Sequence, residues 1–115
     1  MKKDPIRDYA TEAFREYARY GCPTELPLIC DRALAADLAA VRETLRRLDA
    51  EGCEGVIEAV RAVYFAAPSA EIAKGDISAR VESFAAGYHI SEREAYRWLR
   101  KARLCFAMVR GLRVK

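Results

Sequence analysis

The chain has one histidine, His89, among 115 residues. No cysteine or second histidine stands near it, so a tetrahedral zinc set of the usual spacing is excluded. The four cysteines, Cys22, Cys30, Cys53 and Cys105, form no C-x-x-C pair and match no disulfide framework. They are expected to be small buried hydrophobes in a reducing compartment. No apolar run approaches the ~18 to 20 residues of a membrane span, and no apolar signal segment opens the chain. A cytoplasmic protein without membrane contact is expected. A glycine-rich phosphate loop is missing, as is any nucleophile–base signature, and the carboxylates are scattered over solvent faces. An enzyme is therefore not expected, nor any cofactor or metal. His89 reads as a capping or surface residue. The 6 glycines and 4 prolines are few and fall where helices should end.

What remains is rich in alanine, arginine, leucine and glutamate, which favour helix. The hydrophobic fraction of 52% and charged fraction of 32% are those of a folded globular chain, long enough to bury a core without staples. Asp4-Pro5 announces a first helix, an N-cap followed by proline at the first helical position. Ile6, Ala10, Ala13, Phe14 and Tyr17 recur at helical spacing, and Gly21 and Pro23 end it. Tyr9, Phe14, Tyr17 and Tyr20 are base-stacking candidates, but their spacing favours a packed core face. A second helix is predicted over residues 27–50, stopped by Gly52. Its Leu34, Leu38, Val41, Leu45 and Leu48 form a heptad seam of about two heptads, short of the ~3 to 4 of a coiled coil. A contact within one bundle is favoured; a homodimer stays as the alternative, should the seam with Tyr9 and Phe14 exceed what one bundle covers. A third helix over 54–67 carries Val56, Ile57, Val60, Val63, Tyr64 and Ala67 on one face, closed by Pro68. Residues 68–76 read as a loop or hinge. No strand alternation or repeat is present.

After Asp76, taken as an N-cap, Ile77, Val81, Phe84 and Ala85 mark a short amphipathic helix ending at Gly87. Tyr88-His89-Ile90 then make a tight connection. Ser91-Glu92-Arg93-Glu94 reads as a capping box, Ser91 accepting a backbone N–H and Glu94 reaching back to the serine's own. The helix that follows buries Ala95, Trp98, Leu99, Ala102 and Phe106, runs to about Val109 and stops at Gly111. A short helix, a tight turn and a capped longer helix make a helix-turn-helix. Ala85 is the small residue expected where the two helices cross. The fold class is thus all-α, a bundle of about five helices with a C-terminal helix-turn-helix. Residues 1–53 form an N-terminal helical pair for interaction or oligomerisation, and 54–115 the helix-turn-helix region.

Charge points the same way. Residues 91–115 hold eight basic side chains against Glu92 and Glu94, a net +6, which leaves −3 for the rest of the chain. Such asymmetry suggests a polyanionic partner, against the plainer reading of a solvated helix face. Ser91, Glu92, Arg93, Tyr96, Arg97, Arg100, Lys101 and Arg103 are the candidate DNA-binding residues. Arg93 and Arg97, four apart near the helix N-terminus, suit base or phosphate contact. Tyr96 suits a phosphate or a thymine methyl, while Arg100, Lys101 and Arg103 lie where backbone contacts usually fall.

The stretch 77–106, with Phe84-Ala85, Ile90-Ser91-Glu92-Arg93, Tyr96-Arg97-Trp98-Leu99 and Lys101-Ala102-Arg103, resembles the DNA-binding region 4 of bacterial sigma-70-type factors. It looks most like the small sigma-like proteins of prophages and mobile elements. The third helix, with Val60, Val63 and Tyr64-Phe65, is similar to the helix that precedes the helix-turn-helix there. The resemblance covers about the last 60 residues. It implies a transcription regulator on double-stranded promoter or operator DNA, with Glu92, Arg93, Tyr96, Arg97 and Arg100 facing the major groove. It also implies contact with RNA polymerase. The alternative is a helical interaction module docking on polymerase or another acidic partner without touching DNA. His89 departs from the glycine many helix-turn-helix proteins carry there. Residues 1–50 do not resemble the promoter-melting helix of a full sigma factor, which implies a chain that does not start transcription alone.

Overall fold

The computed structural model describes residues 4–23, 25–26, 28–67 and 75–112, and all regular structure there is helical. Five helices follow in order: α1 (Pro5–Arg19), α2 (Arg32–Ala50), α3 (Glu54–Val60), α4 (Asp76–Tyr88) and α5 (Glu92–Arg110). A π-helical turn, Arg61–Phe65, continues α3.

Local chemistry sets the helix ends. Asp4 accepts the Arg7 N–H at 2.9 Å and Pro5 opens α1. Asp31 accepts the Leu34 N–H at 3.1 Å, so α2 starts at Arg32 and not at 27 as the apolar pattern suggested. A side-chain cap decides where the first turn closes, and periodicity alone does not see it. The C-termini of α1, α2, α4 and α5 share one device. Two or three residues past the helix, a backbone N–H bonds back to a carbonyl five positions earlier, as Cys53 does to Leu48 at 2.8 Å and Leu112 to Ala107 at 2.8 Å. The residue just before that donor is left-handed. It is glycine in three of these ends and His89, φ +57, in α4.

That exception is testable. A Cβ in the left-handed region is strained, and glycine relieves it at some cost in unfolded-state entropy. His89→Gly should raise stability by about 0.5 to 1 kcal/mol, seen as a higher melting temperature. No gain would mean that the imidazole makes a compensating contact.

α3 departs from the single helix expected over 54–67. Seven α-helical residues pass into the wider π turn, which holds Val63 and Tyr64 inward beside Val60. Arg80 of α4 donates to the Val63 carbonyl at 2.9 Å, satisfying one acceptor at this end. Pro68 and most of the expected hinge lie outside the described residues. Gly75, φ +91, occupies the cap position before α4 and Asp76 is the first helical residue, one place later than its expected capping role.

α5 is the axis of the molecule and touches all four other helices. Its inward side carries Ala95, Leu99, Ala102 and Phe106, all buried. Phe106 meets Phe14 of α1 with centroids 5.7 Å apart, and Phe14 stacks on Tyr64 at 5.6 Å. The apolar cluster is continuous from α1 to α5, across the boundary expected at residue 53. Leu38, Val41 and Leu48 of the heptad seam are buried in it, with Leu34 and Leu45 packed at its edge. The seam and Phe14 are therefore covered within one chain. Tyr9 stays at the rim, where its hydroxyl donates to Asp37 at 2.7 Å; that bond holds its pKa above the usual phenol value.

Trp98 is held between two neighbours. It meets Phe84 and Tyr88 of α4 edge-on, at 6.2 and 5.6 Å. On its other side the ring lies so close to Gly55 of α3 that an added Cβ would stand 2.8 Å from Cζ3. Alanine would gain about 1 kcal/mol of helix propensity there, whereas overpacking costs about 1 to 3 kcal/mol. The clash is with a ring already held by two others, so the cost wins. Gly55→Ala should lower stability by about 1 kcal/mol and shift the Trp98 fluorescence; a stabilised variant would contradict this packing.

The cysteines are free, but none is buried, contrary to expectation: Cys22 and Cys30 are exposed, and Cys53 and Cys105 half-buried. The exposed pair stands in the connection between α1 and α2, outside the packed layers. Among the described residues no helix is long and apolar enough to cross a membrane, and no cluster of His, Cys, Asp or Glu suits a metal.

Candidate nucleic-acid interface

α4 and α5 are joined by residues 89–91. The left-handed His89 turns the chain, Ile90 packs against the core, and Ser91 caps α5 by accepting the Glu94 N–H at 3.1 Å. Only this half of the expected capping box is used. The Glu94 carboxylate turns forward, accepting from the Trp98 indole N–H at 3.0 Å and pairing with Arg97 at 3.1 Å. Trp98 offers Glu94 a part-buried donor one turn ahead, and the indole is fixed by Phe84 and Tyr88. Ala85 is buried, as expected of a residue at the α4–α5 crossing.

With Ala95, Leu99, Ala102 and Phe106 inward, helical geometry turns Arg93, Arg97, Arg100 and Lys101 to solvent, and all four are exposed. From Arg93 to Lys101 the stripe is about 12 Å long at 1.5 Å per residue. Among the described residues Arg97 alone of the four has a carboxylate in range, Glu94, and both partners are solvated. A surface pair of that kind is worth only about 0.3 to 0.5 kcal/mol, so it leaves the guanidinium available. Ser91 and Glu92 are exposed at the start of the helix. Glu92 and Glu94 offset the positive end of the helix dipole, so any attraction for an anion rests on the arginines. Tyr96 is 42% exposed and its hydroxyl lies 3.5 Å from that of Ser78 on α4.

Arg103 does not join this stripe. It is half-buried and donates to the Tyr64 hydroxyl at 2.8 Å. Two residues beyond Lys101 it has turned about 200° round the helix, which brings it over the π turn. Arg110 is likewise internal, bonded to Asp37 at 2.8 Å beside the Tyr9 hydroxyl. The charge of the 91–115 segment thus overstates its free basic surface; Arg113 and Lys115 lie outside the described residues.

One feature was missed by sequence reasoning. A groove of about 480 Å³ runs between the end of α2 and α5, edged by Arg97, Arg100 and Lys101 and lined by Leu104, Cys105 and Met108. Met108 is 72% exposed, and burial pushes the Cys105 thiol upward, keeping it neutral. Arg47 on the far wall is taken by Glu43 at 2.8 Å; Arg46, and then Arg47, hold that carboxyl at about 2. The signal was available: Arg97, Lys101, Leu104 and Met108 follow one another at steps of four, three and four. Comparison with family models, with curated proteins and with solved structures finds no match to this chain.

Proposed function

We propose that the chain is a DNA-binding transcription regulator of the sigma region 4 kind, with α4, the 89–91 turn and α5 acting as a helix-turn-helix. The carrying observation is the stripe of Arg93, Arg97, Arg100 and Lys101, solvent-exposed on the side of α5 opposite its buried residues. A B-DNA major groove about 12 Å wide admits a helix presenting such a stripe. Arg93 and Arg97 lie nearest the helix start, where recognition helices meet base edges, and Arg97 exchanges its surface pair with Glu94 for guanine or phosphate. Ser91, Glu92 and Tyr96 border that contact, and Arg100 and Lys101 reach the backbone. Arg103 is left out, because it is half-buried and turned off the stripe toward the π turn, where it meets Tyr64.

A gel-shift titration of the full chain against random duplex DNA tests this. Binding of about 10⁻⁴ to 10⁻⁶ M is expected at physiological salt, tighter at about 50 mM and falling steeply by about 200 mM. A second reading has the groove beside the stripe in its favour: apolar Leu104 and Met108 rimmed by arginine suit an acidic protein partner such as RNA polymerase. No salt-sensitive shift even at low salt would leave that interaction module as the function.

A further inference from the structure

On the flank of α5 beside the basic stripe, a cleft of about 610 Å³ opens between α1, the start of α4 and the first half of α5. Its volume falls within the roughly 300 to 1,000 Å³ of small-molecule sites. Leu99 and the Tyr64 ring, both almost fully buried, form apolar walls, and the more exposed Tyr96 stands beside them. Arg15 and Arg103 bring guanidinium groups to the same space, Arg15 being 5% exposed.

The charges lining this cleft are uneven. Its two carboxylates are engaged: Asp8 with Arg7 at 3.5 Å, Glu12 with Arg15 at 3.6 Å and with Arg19 at 2.8 Å. Arg103 bonds a neutral phenol, and no carboxylate lies within ion-pair range of it among the described residues. A half-buried cation with a neutral partner carries a desolvation cost that an anion would offset. The Ser78 hydroxyl, which accepts from the Tyr96 O–H at 3.5 Å, supplies a further donor at one wall.

We propose that this cleft binds a small oxyanion, a carboxylate or phosphate monoester, carried on an aromatic or apolar body. The oxyanion takes the Arg103 guanidinium, with Arg15 adding positive potential, and the body lies against Leu99 and the tyrosine rings. Nothing in this site requires DNA, so it stands or falls apart from the function proposed above.

Calorimetric titration of the full chain without DNA tests it, using phenyl phosphate and benzoate as probes and phenol and inorganic phosphate as their separate halves. Saturable one-to-one binding is expected for phenyl phosphate or benzoate, about tenfold or more tighter than for either half. The preferred probe of the two identifies the oxyanion. Arg103→Gln should weaken binding about tenfold or more, while Arg32→Gln at the start of α2 leaves it unchanged. Should Arg103→Gln lower the melting temperature, Ser78→Phe, at an exposed position beside the cleft, provides the second test: it should block binding with the melt intact. Absence of saturable heat for both probes would overturn the proposal, as would binding that survives both substitutions. Inorganic phosphate binding as tightly as phenyl phosphate would also overturn it, since the apolar walls would then contribute nothing.

Discussion

Replacing Arg93, Arg97 and Arg100 together by alanine should lower affinity for duplex DNA by about a hundredfold or more while leaving the fold intact. Each base contact is worth about 1 to 3 kcal/mol, and each phosphate contact contributes about 0.9 to the salt slope. Three contacts at the low end give about 3 kcal/mol, or about two powers of ten. The fold should tolerate the change because all three side chains are exposed and alanine is a strong helix former. Among the described residues their only ion pair is the Arg97–Glu94 surface pair. Fluorescence anisotropy at two salt concentrations measures both the affinity and its slope. Arg32→Ala is the control. Affinity within about threefold of the unsubstituted chain would show that DNA, if bound, is held elsewhere.

The second large effect concerns the other side of the same helix. Phe106→Ala should cost about 3 to 5 kcal/mol, the range for removing a buried phenyl ring. Phe106 is fully buried where α5 crosses α1, with Phe14 at 5.7 Å and Tyr9 at 6.2 Å. Neighbours held in a packed core collapse poorly into the space it leaves. At about 4 °C per kcal/mol the melting temperature falls by roughly 12 to 20 °C. Against a typical stability of about 5 to 15 kcal/mol, part of the population would already be unfolded at 37 °C. Well below the melt, the folded fraction should bind DNA as before, because the arginines face away from the lost ring. A fall of less than about 4 °C would mean that Phe106 does not hold α5 to α1. The two substitutions thus separate what the two sides of one helix do.

Much of this was legible in the sequence because it is written in local chemistry. Gly21, Gly52 and Gly111 mark helix ends since a left-handed residue is needed there, and Ser91 starts α5 by accepting its own helix's N–H. Ala95, Leu99, Ala102 and Phe106 declare an inward side by spacing alone. That spacing also leaves Arg93, Arg97, Arg100 and Lys101 outside. What was not legible depends on a partner brought from afar. Arg103 reads as one more basic residue until Tyr64, 39 positions earlier, is seen to take its guanidinium. Arg110 is tied to Asp37, 73 positions earlier, in the same way. The π turn after Val60 has no local signature, because it is set by what Val63 and Tyr64 must reach. His89 hides a helix end for the opposite reason: it adopts a backbone conformation usually given to glycine. The spacing of Leu104 and Met108 was legible, but the groove was not, because its far wall comes from Arg47 and Glu51 at the end of α2.

Amide chemical-shift mapping of the full chain titrated with duplex DNA at low salt addresses the central claim most directly. The largest perturbations should cluster on residues 91–101, with the Tyr9–Asp37–Arg110 cluster unchanged. Perturbations centred instead on Arg47, Leu104 and Met108, or on α1, or none at all, would contradict a DNA-reading role for the solvent side of α5.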